Sequence, residues 1–245
     1  MTKAELSSED QKPVIFSREE NNIKTDSCEL PENISEIMAQ FESIGDNCEF
    51  GLVQRHFGAE PVTLFRFSVL PPLKMIELLE LRLEPLGDPA HTVIFEEGNE
   101  YIVKDDRGYY WMHSFIRKGH VDPERYLKQQ GARIQLLKRK FLRDLQDGNH
   151  IYVCKQSDAP ISDDILRRLS KSLRAYGNNL LLGIRRADAN HPAGAVEQFE
   201  DHILIAYMKT LFAEGDAGAD HASWETVVRS AHKMKMDMVS AYTAT

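Results

Sequence analysis

Gly45-Asp46-Asn47-Cys48 lies between a short apolar segment ending at Ile44 and a helix-like stretch over residues 49–57. That order puts the Cys48 thiol at or near a helix N-terminus, where unpaired N–H groups and the helix dipole favour a thiolate. A nucleophilic cysteine needs that setting. The same N–H groups can hold an oxyanion or a phosphate, so the spacing also fits an anion site gripped by the turn from Gly45 to Cys48. The plainer alternative is a small buried hydrophobe, the usual role of a cysteine.

The neighbouring residues extend the pattern. FESIGDNCEFGLVQRHFGAEPVTLFRFS, residues 41–68, resembles the start of a bacterial family of papain-like cysteine peptidases. In that family an apolar segment leads into Ser-x-Gly-x-Asn-Cys and a helix, a Phe-rich stretch follows, and a His element lies downstream. Here the motif is Ser43, Gly45, Asn47 and Cys48, followed by Phe65-Arg66-Phe67-Ser68 and then Trp111-Met112-His113-Ser114-Phe115. Ser114 stands where the family has Asp, and the similarity in element order covers most of residues 41–230. The resemblance implies a cysteine-dependent hydrolase or acyl transferase, with Cys48 as nucleophile and His113 as general base.

A third group should orient the imidazole. Asp158 and Asp188 follow predicted strands and Asp220 lies towards the C-terminus, and strand ends of an α/β sheet are where sites gather. The Asn47 amide could serve an oxyanion, or the residue could be a turn former or helix cap. Arg55 and Arg66 near the cysteine block, with Arg185 and Arg186 after a predicted strand, could recognise a carboxylate or phosphate. A non-catalytic module is the competing reading. It would bind an anion or a glycan through the Gly45 turn and work beside polysaccharide-modifying enzymes.

Composition bounds these readings. The chain has 245 residues, 42% of them hydrophobic, which is too apolar for a mainly disordered polypeptide. Lys and Arg number 30 against 38 Asp and Glu, a net charge of −8 that argues against a dedicated nucleic-acid binder. No run approaches the ~18 apolar residues of a membrane span, and MTKAELSSEDQK has neither a basic n-region nor an apolar h-region, so a cytoplasmic protein is expected. Cys28, Cys48 and Cys154 are too few and too scattered for a disulfide framework, and the histidines show no metal-ligand spacing. Without a GxGxxG or GxxxxGK[ST] loop, no nucleotide cofactor is indicated and none of any kind is expected. The expected partner is a small-molecule, peptide or glycan-linked substrate; the oligomeric state stays open.

The positioning elements follow from periodicity. Residues 1–32 are polar and read as a flexible N-terminal extension, and residues 33–245 as a single α/β domain. Ile34, Ile37, Met38 and Phe41 repeat at helical spacing behind an Asn33 cap. Residues 73–83 place Leu73, Ile76, Leu79, Leu81 and Leu83 on one apolar side. Residues 92–95, 101–104 and 109–113 are β-rich runs separated by turn chemistry, a small antiparallel meander. Residues 123–146 predict a long helix, 150–155 a strand, 162–176 a helix, 179–184 and 202–207 strands, and 224–238 a closing helix. That alternation predicts a layered sheet with mostly parallel core strands and flanking helices. Arg133, Lys138, Arg139, Lys140 and Arg143 on the long helix read as a solvated face.

Overall fold

A computed structural model describes residues 33–211 and 218–243 of the chain. The expected N-terminal extension, with Cys28, lies outside the described residues. The elements are, in order, α1 (Ile34–Met38), β1 (Phe41–Ser43), α2 (Glu49–His56), α3 (Pro72–Glu80), β2 (Thr92–Glu97), β3 (Glu100–Asp105) and β4 (Trp111–Arg117). Then come α4 (Pro123–Asp147), β5 (Ile151–Lys155), α5 (Asp163–Arg174), β6 (Leu180–Arg186), β7 (Val196–Glu200), β8 (Ile203–Met208) and α6 (His221–Thr243).

The fold is α/β. A five-stranded sheet has the order β1-β5-β6-β8-β7, in which β1, β5, β6 and β8 run parallel and β7 pairs antiparallel at the edge. The meander β2-β3-β4 forms a second, antiparallel sheet. Parallel strands must be covered on both faces, which is why HIYVCK and NLLLGI read as unbroken apolar runs. Along β5, Tyr152 and Cys154 point into one layer with Leu137 and Phe141 of α4 and Leu166 of α5. Ile151 and Val153 point into the other, with Phe50 and Val53 of α2 and Trp224 and Val227 of α6.

Local signals set the ends of α4. The Asp122 side chain accepts from Arg125 N at 2.8 Å, Pro123 occupies the first turn, and Gly148 closes the helix in the left-handed conformation. One expectation needs correction, and one strand was not foreseen. α3 stops at Glu80, because Arg82 and Leu83 take positive φ; its buried stripe is Met75, Ile76, Leu78 and Leu79, which leaves Leu73 and Leu81 exposed. β7 (VEQFE) is polar and lies at the sheet edge, where no apolar face is required, so the sequence carried no strand signal for it. Among the described residues no helix is long and apolar enough to cross a membrane.

One buried carboxyl sets a pH dependence. Glu42 of β1 lies opposite Tyr152 of β5 and is 1% exposed; its Oε1 accepts from Leu64 N at 3.3 Å, while its Oε2 and the Tyr152 hydroxyl have no hydrogen-bond partner. Burial is the main cause that pushes its pKa from 4.5 up to about 8, against the opposing charge of Lys140. The folded chain therefore keeps a proton that the unfolded chain releases. Its contribution is full below about pH 4.5 and is lost as pH rises through about 8. Unfolding free energies from urea titrations across this window should fall with pH, at a slope of up to about 1.4 kcal/mol per unit from this group. Glu42→Gln should flatten the fall; an unchanged slope would mean that Glu42 is ionised in the fold.

Candidate functional site

The turn between β1 and α2 is clamped from below. Gly45 sits against β5 so closely that a Cβ would come within 2.6 Å of the Lys155 carbonyl oxygen and 2.8 Å of its nitrogen. Asp46 N donates to the Lys155 carbonyl at 3.1 Å, and Leu70 N donates to the Gly45 carbonyl at 3.3 Å. Gly45 is thus buried and its observed contacts are with backbone. Asp46 and Asn47 lock the turn to the loop after β5: Ser157 N donates to both Asp46 carboxylate oxygens, at 3.0 and 2.9 Å, and Asn47 Nδ2 donates to Ser157 Oγ at 2.7 Å. Asn47 Oδ1 accepts from Glu49 N at 3.1 Å. Its amide is therefore spent on capping and clamping rather than held open for an oxyanion.

Below the turn lies a buried ion pair. Lys155 Nζ bonds Glu49 Oε2, with side chains 3% and 4% exposed, and Trp224 Nε1 donates to Glu49 Oε1 at 2.9 Å. Burial pushes the Lys155 amine down and the Glu49 charge counters it. The carboxylate also stands in the first turn of α2, where the helix dipole favours it. One residue thus joins the start of α2, the end of β5 and the start of α6.

Cys48 occupies the N-cap of α2, partly buried and in the reduced state, with no side-chain capping bond. Burial pushes its thiol above the ordinary range; its own backbone N–H acts in the opposite direction, and the charges of Glu49 and Glu100 add to the rise. The helix N-terminus predicts a thiolate, whereas desolvation and two nearby carboxylates act in the opposite direction. Glu49 N is taken by Asn47 and Leu52 N by the Cys48 carbonyl, so the helix-terminal donors between them are those of Phe50 and Gly51.

The histidine comes from the meander. Phe65–Ser68 packs between α2 and β4: a Cβ on Gly51 would meet the Arg66 carbonyl oxygen at 2.4 Å and the Phe67 ring at 3.0 Å, while His113 N donates to the Phe67 carbonyl at 3.3 Å. On the meander, His113 Nδ1 lies 3.1 Å from Glu100 Oε2. A carboxylate only accepts, so Nδ1 carries the hydrogen of this bond, and Nε2 is the nitrogen that a neutral imidazole would have free as a base. The other oxygen, Oε1, accepts from Phe115 N at 2.6 Å. Here β3 and β4 slip register between the Glu100↔Arg117 and Ile102↔His113 pairs, and Phe115 takes φ 58°, which costs of order 1–3 kcal/mol for such a residue. Glu100 thus holds the imidazole, stabilises a strained backbone and acts electrostatically on the Cys48 thiol. Cys48 and His113 form no hydrogen bond with each other in this state.

The other expected residues are placed as follows. The group that contacts His113 is Glu100 rather than Asp158, Asp188 or Asp220. Asp158 is exposed in the loop after β5, Asp188 pairs with His191 at 3.0 Å, and Asp220 caps α6 by accepting from Ser223 N and Oγ. The Arg66 guanidinium is buried and bonded to Glu60 Oε2, the Gly51 carbonyl and the Ala59 carbonyl, so it braces the Phe-rich segment rather than facing a ligand. Arg185 binds Asp163 at 2.5 Å across the sheet end. Arg55 is exposed, shares Glu60 with Arg66, and lies 4.8 Å from the Phe67 ring and 5.5 Å from that of Phe115. Glu100 was missed because it carries no motif of its own; the Glu-Gly-Asn turn before β3 was the available signal, since it places the first residue of the hairpin return beside the end of β4. Among the described residues no three His, Cys, Asp or Glu side chains group as a metal site.

No family model, curated protein or solved structure matches this chain. The resemblance drawn above therefore rests on its short motifs alone.

The ion pair beneath the turn is open to a direct test. Lys155→Met leaves Glu49 buried without a counter-charge and should lower the unfolding free energy by roughly 3–5 kcal/mol, whereas Glu49→Leu with Lys155→Met should recover most of it. Denaturant titration of the two variants decides, and a loss below ~1 kcal/mol in the single variant would show that the pair does not hold the turn.

Proposed function

We propose that the chain is a cysteine-dependent hydrolase or acyl transferase, with Cys48 as nucleophile, His113 as general base and Glu100 as the group that orients His113. The observation that carries this reading is the position of Glu100, which accepts the His113 Nδ1–H and stands close enough to Cys48 for its charge to reach that thiol. The resemblance to papain-like cysteine peptidases supports it with the Cys and His positions, and makes a peptide or related amide the natural substrate.

The resting thiol is neutral and unbonded to the imidazole, so the reaction follows general-base catalysis rather than a preformed thiolate–imidazolium pair. Catalytic hydrogen bonds commonly tighten only once substrate is bound. Cys48 Sγ attacks the acyl carbon as its proton passes to His113 Nε2. The bond to the leaving group breaks as that proton is delivered to the departing nitrogen or oxygen. Water then attacks the thioester, His113 takes its proton and returns it to sulfur, and a carboxylic acid leaves. With another nucleophile in place of water the same steps give acyl transfer. The amides of Phe50 and Gly51 are the nearest helix-terminal donors for the oxyanion.

A second reading has its own observation. Burial and two carboxylates hold the Cys48 thiol in its neutral form, which suits a non-catalytic module binding an anion or glycan at the turn. Turnover separates the two. With p-nitrophenyl acetate near neutral pH the wild type should show a burst of acylation, Cys48→Ala none, and His113→Ala a rate lower by about 10²–10⁴. Glu100→Gln should slow turnover and at the same time move the midpoint of Cys48 alkylation by iodoacetamide to lower pH, because a like charge has been removed. Ester hydrolysis unchanged in Cys48→Ala would overturn the enzyme reading.

A further inference from the structure

The meander presents rings in series. Trp111 and His113 alternate on one face of β4 with centroids 4.7 Å apart, Phe115 follows at 6.0 Å from His113, and the Phe67 ring lies 5.1 Å from Phe115. Phe115 is 50% exposed although its backbone is held in the left-handed region. Core packing does not account for that placement, since a ring half in water returns little burial energy for a strained backbone. The strained turn is held by Glu100, the same carboxylate that holds His113.

The series ends on a cation. Arg55 lies over both Phe67 and Phe115 and bonds Glu60 through Nε, on a carboxylate it shares with Arg66, so that among the described residues its two terminal nitrogens make no hydrogen bond. Arg55 follows Cys48 by seven positions on α2, so the two lie on the same face of the helix, about 10 Å apart along its axis. An arginine side chain spans much of that gap. Rings bind a flat or branched apolar group, and a guanidinium stacked on rings binds a carboxylate.

We infer that the surface formed by Phe67, Phe115 and Arg55 is the substrate subsite of the Cys48 centre, and that it selects acyl compounds carrying an aromatic or bulky apolar side chain next to a free carboxylate. The inference rests on the thiol reading for the reaction, and on the ring and arginine geometry for the recognition. Phe115 takes the apolar group, and Arg55 pairs with the carboxylate while keeping its stack on Phe67. Because Glu100 bonds both Phe115 N and the imidazole, a ligand that presses on Phe115 also adjusts His113.

Calorimetric titration of the full-length Cys48→Ala chain, which lacks the attacking thiol, with N-acetyl-phenylalanine, N-acetyl-phenylalaninamide and N-acetylglycine tests recognition apart from chemistry. The first should bind at least ~10-fold more tightly than either of the others, which lack the carboxylate or the ring. In that background Phe115→Ala should erase the preference for the ring and Arg55→Gln the preference for the carboxylate. Phe115→Gly should raise the thermal midpoint while it loses binding, since glycine accepts positive φ freely; a residue present only for structure would show no such opposition. Equal affinities for the three ligands, or preferences that survive both substitutions, would overturn the subsite. If the preferences hold and the ester burst is absent, the subsite stands and the thiol chemistry fails; if the burst appears with no selectivity, the reverse is true.

Discussion

The candidate site depends on a charge buried where the sheet ends. β5 alternates its side chains between two apolar layers, and in the layer that receives Ile151 and Val153 the next position is Lys155. An ammonium there is tolerable only with a partner, and Glu49 supplies it from the first turn of α2, with Trp224 of α6 completing the carboxylate's bonds. Three elements distant in sequence are brought to one point by this demand. The Gly45 to Cys48 turn is stretched over that point, with Gly45 against the Lys155 backbone and Asp46 tied to Ser157. The placement of Cys48 is thus a consequence of how a lysine at a strand end is neutralised.

The second constraint works from the opposite side. The meander packs its core face through Val103 and Met112, which leaves Glu100, Trp111 and His113 on the other side. A register slip between β3 and β4 then brings the two oxygens of Glu100 onto His113 Nδ1 and Phe115 N. A carboxylate with both oxygens engaged gives the imidazole one tautomer and one orientation, as a general base requires. Its charge also disfavours a thiolate at Cys48, so an oriented imidazole accompanies a neutral thiol.

Much of this fold was legible in the sequence because burial on two faces and helical periodicity leave local marks. The unbroken apolar runs of β5 and β6, the capped α4 with Ile134, Leu137, Phe141 and Leu145, and the turn-separated meander all follow from chain-local rules. β7 left no such mark, since an edge strand needs no apolar face. Leu73 and Leu81 misled for the converse reason: they are apolar but sit off the buried stripe of a helix that ends early.

The sequence by itself determined the α/β alternation, the position of Cys48 at the start of a helix and the candidacy of His113, because each depends on residues close along the chain. Tertiary structure alone decided which groups those residues meet. Arg66 becomes a buried brace because its guanidinium reaches the Gly51 and Ala59 carbonyls, and Asn47 becomes a clamp because Ser157 stands opposite. Glu100, distant from Cys48 along the chain and unmarked by any motif, becomes the partner of His113 through a register slip between two strands. The upward push on the Cys48 thiol has the same origin, since desolvation and neighbouring carboxylates are properties of the packed site.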